Sequence, residues 1–61
     1  MTTADDVFRM LRAALEERDP IDRKRLVRRA YDEAQRLSDD DFDRVAEMLG
    51  DDYTDVDAAL A

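Results

Sequence analysis

Three helix-start signals divide the chain and restrict it to short α-helices. The stretches TADD, DPID and SDDD begin at residues 3, 19 and 38, and each places Thr, Asp or Ser three residues before an Asp. The first residue of such a stretch caps a helix through its side-chain oxygen, and the Asp lies where the helix dipole favours negative charge. Pro20 suits the first helical position, because its missing N–H costs nothing there. The sequence therefore predicts helices that start at about residues 4, 20 and 39.

The spacing of apolar residues predicts an all-α fold. Helix 1 at about 4–18 and helix 2 at about 20–37 each gather their apolar side chains in one arc of the helical wheel. Helix 3 at about 39–49 follows the i, i+3, i+4, i+7 pattern and ends before Gly50, the only glycine. The prediction is a small three-helix domain over residues 1–61. Its predicted core contains Val7, Phe8, Leu11, Leu15, Leu26, Val27, Ala30, Tyr31, Ala34, Leu37, Phe42, Val45 and Leu49.

Residues 51–61 allow two interpretations. Thr54 with Asp57 repeats the start signal, and Val56 and Leu60 can lie on one apolar stripe, which predicts a short fourth helix at about 54–60. Isolated helices this short are marginal in water. A flexible acidic tail is therefore the alternative, and the sequence leaves both open.

The chain lacks the usual stabilising links of a small domain. It has 61 residues, no cysteine and no histidine, which excludes disulfides and the common zinc sites. Idealised helix packing or self-association must supply the stability that such links would give, and we expect a homodimer. Apolar residues outside the three predicted core stripes are available for that contact: Met10, Ile21, Met48, Tyr53, Val56 and Leu60.

Charge is distributed very unevenly along the chain. The net charge is −7, yet residues 20–37 contain six basic and three acidic residues, whereas residues 38–61 contain nine acidic and one basic. Several basic residues have an acid three or four positions away on helix 2, so we expect intrahelical pairs such as Arg28–Asp32 and Arg29–Glu33. The candidate partner-binding residues are Arg23, Lys24, Arg25, Arg28, Arg29, Tyr53, Val56 and Leu60.

These charges support three hypotheses about function. The favoured one is a non-catalytic, acidic protein-interaction module, such as a small regulator or a phage- or plasmid-encoded modulator of a host protein. The first alternative is nucleic-acid binding through the basic face of helix 2, which the acidic segment opposes because it would repel phosphates nearby. The second alternative is a DNA mimic that uses the acidic C-terminal segment to bind a DNA-binding protein.

Several classes of function are not expected from these residues. Without His or Cys, the common general bases and nucleophiles are missing, so we expect no enzyme and no cofactor. An EF-hand-like spacing begins at Asp39, but Arg44 stands where that loop needs Gly and Gly50 where it needs Glu, so we expect no calcium site. No apolar run reaches the length of a membrane span, and the start of the sequence does not resemble a signal peptide. We therefore expect a cytoplasmic protein without a membrane partner.

Overall fold

The computed structural model describes residues 2–61, and these residues form four α-helices and no strand. The helices are α1 (Ala4–Leu15), α2 (Pro20–Ala34), α3 (Asp39–Leu49) and α4 (Asp52–Leu60). The all-α prediction is confirmed for this part of the chain. Residues 52–60 form the fourth helix that the sequence left open, not an irregular tail.

The first three helices start where the capping signals predict. At α1 the Thr3 hydroxyl accepts a hydrogen bond from the Asp6 N–H at 3.2 Å, and the Asp6 carboxylate accepts one from the Thr3 N–H at 3.1 Å. This reciprocal pair, led by the bond from the Thr3 backbone, holds the pKa of Asp6 below its usual value. Asp19 and Ser38 cap α2 and α3 in the same way, through backbone N–H groups two or three residues further on.

Two helices end earlier than the sequence predicts. Helix α1 stops at Leu15 instead of residue 18: the Glu16 and Glu17 N–H groups bond three residues back, and Asp19, the residue before proline, has extended backbone (φ −74°, ψ 120°). Helix α2 stops at Ala34 instead of residue 37, and the N–H groups of the next turn bond three residues back. The predicted bounds of α3, residues 39–49, are confirmed.

Helix α4 starts two residues before its predicted start. Thr54, the predicted cap, lies inside the helix, and Asp51 precedes the first turn with helical backbone and no side-chain capping bond. Gly50 provides the change of direction from α3 to α4 with φ 55°, a value that residues with a Cβ rarely adopt. Helix α4 is therefore the only one of the four in residues 2–61 that lacks a side-chain cap.

Helix α1 is the centre of the packing. It lies against α2 and α3 and also contacts α4, whereas the backbones of α2 and α3 barely approach each other. An edge-to-face contact of Tyr31 with Phe42, with ring centroids 6.2 Å apart, joins α2 to α3. The fully buried side chains are small for the most part: Ala4, Val7, Leu11, Ala14, Val27, Ala30, Ala34, Val45, Leu49 and Val56.

The predicted core is largely confirmed, with one error, Leu26, and three omissions, Ala4, Ala14 and Val56. Leu26 is 40% exposed, because it lies at the edge of the apolar arc of α2 and the smaller Ala30 and Val27 make the contact with the core. Val56, which lies outside the predicted three-helix core, is buried because α4 docks on the other helices. Five predicted core residues are only half-buried, all of them packed against the core: Phe8, Leu15, Tyr31, Leu37 and Phe42.

Candidate protein-interaction surface

The structure divides the five basic candidate residues into two groups. Arg23 and Lys24 have contacts within the fold: the Arg23 Nε donates to the Glu17 carbonyl at 2.8 Å, and the Lys24 Nζ donates to the Ala61 carbonyl at 3.1 Å. Arg23 therefore bonds to the turn that follows α1, and Lys24 bonds to the residue that follows α4. Both contacts reduce the availability of these two side chains to a partner.

The other three arginines are exposed on the outward face of α2. Within residues 2–61, Arg25, Arg28 and Arg29 form neither a hydrogen bond nor an ion pair through their side chains. The predicted pairs of Arg28 with Asp32 and Arg29 with Glu33 are not formed, so that expectation is wrong. Exposed pairs of this kind gain little free energy, so nothing holds the two side chains together.

Glu33 has other contacts that explain part of this result. Its carboxylate accepts a hydrogen bond from the Thr2 hydroxyl at 3.2 Å and forms an ion pair with Arg36 at 3.5 Å. The carboxylate that the sequence assigned to Arg29 therefore lies beside Thr2 and Arg36 instead. Arg29 consequently has no carboxylate partner within residues 2–61.

Two of the three large apolar side chains that are exposed in residues 2–61 lie on this same helix. Ile21 is 70% exposed and Leu26 is 40% exposed, whereas the third, Met48, lies on α3. Leu26 and Arg29 also border a shallow groove between α1 and α2 that Met10 and Ala13 line. We define the arginine face as the outward surface formed by Ile21, Arg25, Leu26, Arg28 and Arg29 of α2 with Arg36 of the following turn; Asp32 and Glu33 line the same surface.

The arginine face combines the chemical groups that bind acidic protein surfaces. Guanidinium groups present planar arrays of donors to carboxylates, and they lose less hydration than ammonium groups do when a partner covers them. Exposed aliphatic side chains among them supply apolar area that a partner can bury. The sequence indicated the basic cluster, but it did not reveal that Leu26 is exposed or that Arg36 belongs to the same surface.

The three apolar candidate residues lie elsewhere, on α4. Val56 is buried in the core, and Tyr53 and Leu60 are half-buried against it, so none of them joins the arginine face. Burial, followed by the nearby Tyr31 and Asp57, raises the pKa of the Tyr53 hydroxyl above its usual value. In the folded monomer these three residues hold α4 in place.

The described residues offer no enclosed site for a small ligand. A void of about 20 Å³ lies beneath α4, between apolar side chains of all four helices, and it has room for about one water molecule. No group of three or more acidic residues in residues 2–61 is arranged to hold a metal ion. No helix in this range has the length and apolar character that crossing a membrane requires.

Comparisons with known proteins give no relative from which function can be transferred. No protein-family model, no curated protein and no solved structure matches the chain.

Proposed function

We propose that the chain is a non-catalytic protein-interaction module that binds an acidic surface of a partner protein through the arginine face. In this proposal it is a small cytoplasmic regulator, or a phage- or plasmid-encoded modulator of a host protein, and it forms a homodimer. The main support is that Arg25, Arg28 and Arg29 have no carboxylate partner within residues 2–61 and line the same open groove as the exposed Leu26.

The chain has many carboxylates, yet the side chains of Arg25, Arg28 and Arg29 remain available to a partner. Seventeen acidic residues accompany ten basic ones, and Asp32 and Glu33 lie on the same helix as the arginine face. A surface that served only solubility would not need exposed aliphatic groups such as Ile21 and Leu26 beside its charges. Arginine is among the residues enriched in protein interfaces, and the neighbouring Ile21 and Leu26 supply apolar area that a partner can bury.

Nucleic acid fits the arginine face less well than an acidic protein surface does. Three acidic residues, Asp22, Asp32 and Glu33, lie on α2 itself, and the whole molecule has a net charge of −7. A phosphate backbone would meet these charges along with the arginines, whereas nucleic-acid-binding domains are usually basic overall. A protein surface can place its acids opposite the arginines and leave the remaining area neutral.

Matched charge reversals test this proposal. The variant R25E/R28E/R29E removes the arginine face, and R9E/R18E/R44E makes the same change in net charge at three exposed arginines outside it. Immobilised wild-type protein and the control variant are expected to capture the same partner protein from lysate, with or without nuclease. The arginine-face variant is expected to lose it, because three glutamates would place like charges opposite the acidic surface of the partner, and such juxtapositions cost several kcal/mol of binding free energy.

Two results would refute the proposal. If nuclease releases the captured protein, the arginine face binds nucleic acid. If both triple variants capture the partner equally well, the binding surface lies elsewhere on the molecule. Circular dichroism of all three proteins shows whether the variants keep the helical fold.

A further inference from the structure

Helix α4 lies in a cleft that the other three helices leave open. The backbones of α2 and α3 barely approach each other, and α4 contacts both of them as well as α1. The side chains that meet beneath it come from every helix, among them Leu11 of α1, Ala34 of α2, Phe42 and Leu49 of α3, and Tyr53 and Val56 of α4. The cleft therefore accommodates one short helix between α2 and α3.

The attachment of α4 to this cleft is weak. The helix has nine residues, lacks a side-chain cap and fully buries only Val56. Single-turn to three-turn helices without tertiary support are marginal in water, so α4 opens at a smaller free-energy cost than the core helices do. Opening exposes apolar side chains of the cleft and of α4 at the same time.

Charged and polar contacts hold α4 at both of its ends. Arg12 of α1 forms an ion pair with Asp52 in the first turn of α4, and Lys24 of α2 donates to the Ala61 carbonyl just beyond its last turn. The cleft thus presents a cation to each end of the helix. Any helix with the sequence of α4 can make the same contacts, whether it belongs to the same chain or to another copy.

We infer that the cleft also accepts α4 from a second copy of this chain, so that two copies dimerise by exchanging α4. This inference rests on the proposed homodimer and names its contact surface. Gly50 lies between α3 and α4, and its freedom to adopt other backbone angles makes it the hinge. Exchange re-forms the same contacts between chains and exposes no new apolar surface, which makes it a low-cost route to a dimer.

The Arg12–Asp52 ion pair allows a complementation experiment in the full chain. In R12E two acids face each other within one chain, and in D52R two bases do. A mixture of the two variants restores both pairs if α4 is exchanged: Arg12 of one chain meets Asp52 of the other, and the reversed pair forms opposite it. Within a single chain, neither pair can be restored by mixing.

Native mass spectrometry of the mixture, after gentle warming to allow opening, measures the result. We expect heterodimers of R12E with D52R to be on the order of tenfold more abundant than homodimers of either variant, because each heterodimer regains two surface ion pairs. The double variant R12E/D52R, which restores the pair within one chain, should melt like the wild type. A mixture without enriched heterodimers would overturn the inference, and so would a double variant as unstable as the single ones.

The same experiment separates this inference from the proposed function. If wild-type dimers form but the variants do not complement each other, the homodimer uses another surface and α4 exchange is wrong. If neither occurs, the proposed homodimer fails as well. Repeating the mixture with R25E/R28E/R29E in both chains should leave heterodimer formation unchanged, because the arginine face takes no part in the exchange.

Discussion

Replacing Leu11 by alanine is expected to reduce the free energy of unfolding by about 2–5 kcal/mol, which is the cost of a cavity left by a buried leucine. Leu11 is only 4% exposed and lies on α1, the helix that packs against all three others. A domain of 61 residues at ~0.05–0.15 kcal/mol per residue has about 3–9 kcal/mol in all. The substitution therefore removes a large part of the stability of the domain, or all of it.

Leu26 provides the matched control for this substitution. It was also predicted to be a core leucine, but it is 40% exposed, so Leu26→Ala should cost about 1 kcal/mol or less. Urea unfolding followed by circular dichroism at 222 nm measures both values. Equal costs for the two leucines would mean that Leu26 is as buried as Leu11, and the arginine face would then lose its apolar centre.

Replacing Val56 by aspartate is expected to undock α4. Burial of the Val56 side chain supplies about 1.5–3 kcal/mol of the docking free energy, whereas an unpaired carboxylate in the same place costs several kcal/mol. Because the second quantity is larger, the helix leaves the cleft instead of burying the charge. The other three helices keep their caps and most of their core, so they should remain folded with a lower melting temperature.

Amide hydrogen exchange measured by NMR tests this result residue by residue. In V56D, protection should disappear over residues 52–60 and persist in α1. Ala58→Asp is the control, because it adds the same charge to an exposed position of the same helix. Unchanged protection in α4 of V56D would contradict the docking of α4 through Val56.

Helix starts were predictable from the sequence because the interactions that determine them are local. Thr3, Asp19 and Ser38 each cap a helix through backbone groups no more than three residues away, so the pattern contains the whole interaction. The ends of α1 and α2 were placed three residues too late. Leu37 continues the apolar pattern of α2 beyond Ala34, but no apolar residue extends that of α1 beyond Leu15, and in the turn after each helix N–H groups bond three residues back.

Burial was less predictable where it depends on a neighbouring helix. Leu26 and Val27 are adjacent and both apolar, and only the position of α1 and α4 decides that Val27 is buried and Leu26 exposed. Likewise, Val56 becomes a core residue only because α2 and α3 leave a cleft for α4. The sequence contains the amphipathic pattern of each helix but not the angle at which two helices meet.

The sequence predicted the basic cluster of the candidate surface but not the contacts that its side chains make. The basic cluster on α2 was evident from composition, but its residues differ in role: Arg23 bonds to the Glu17 carbonyl, whereas Arg28 is free of any contact with a carboxylate within residues 2–61. That difference arises from the path of the chain between α1 and α2, which no spacing rule describes. The expected Arg28–Asp32 pair failed for a related reason, since the small gain of an exposed pair does not fix its geometry.

Site-specific photocrosslinking tests the proposed arginine face most directly. Leu26 and Met48 are exposed to a similar extent, 40% and 37%, but only Leu26 lies within the arginine face. A photoreactive phenylalanine analogue at position 26 is expected to give a discrete, nuclease-resistant protein adduct in cells that express the protein, and the same group at position 48 should not. An adduct that forms at position 48 and not at position 26, or one that nuclease removes, would contradict a protein-binding role for the arginine face.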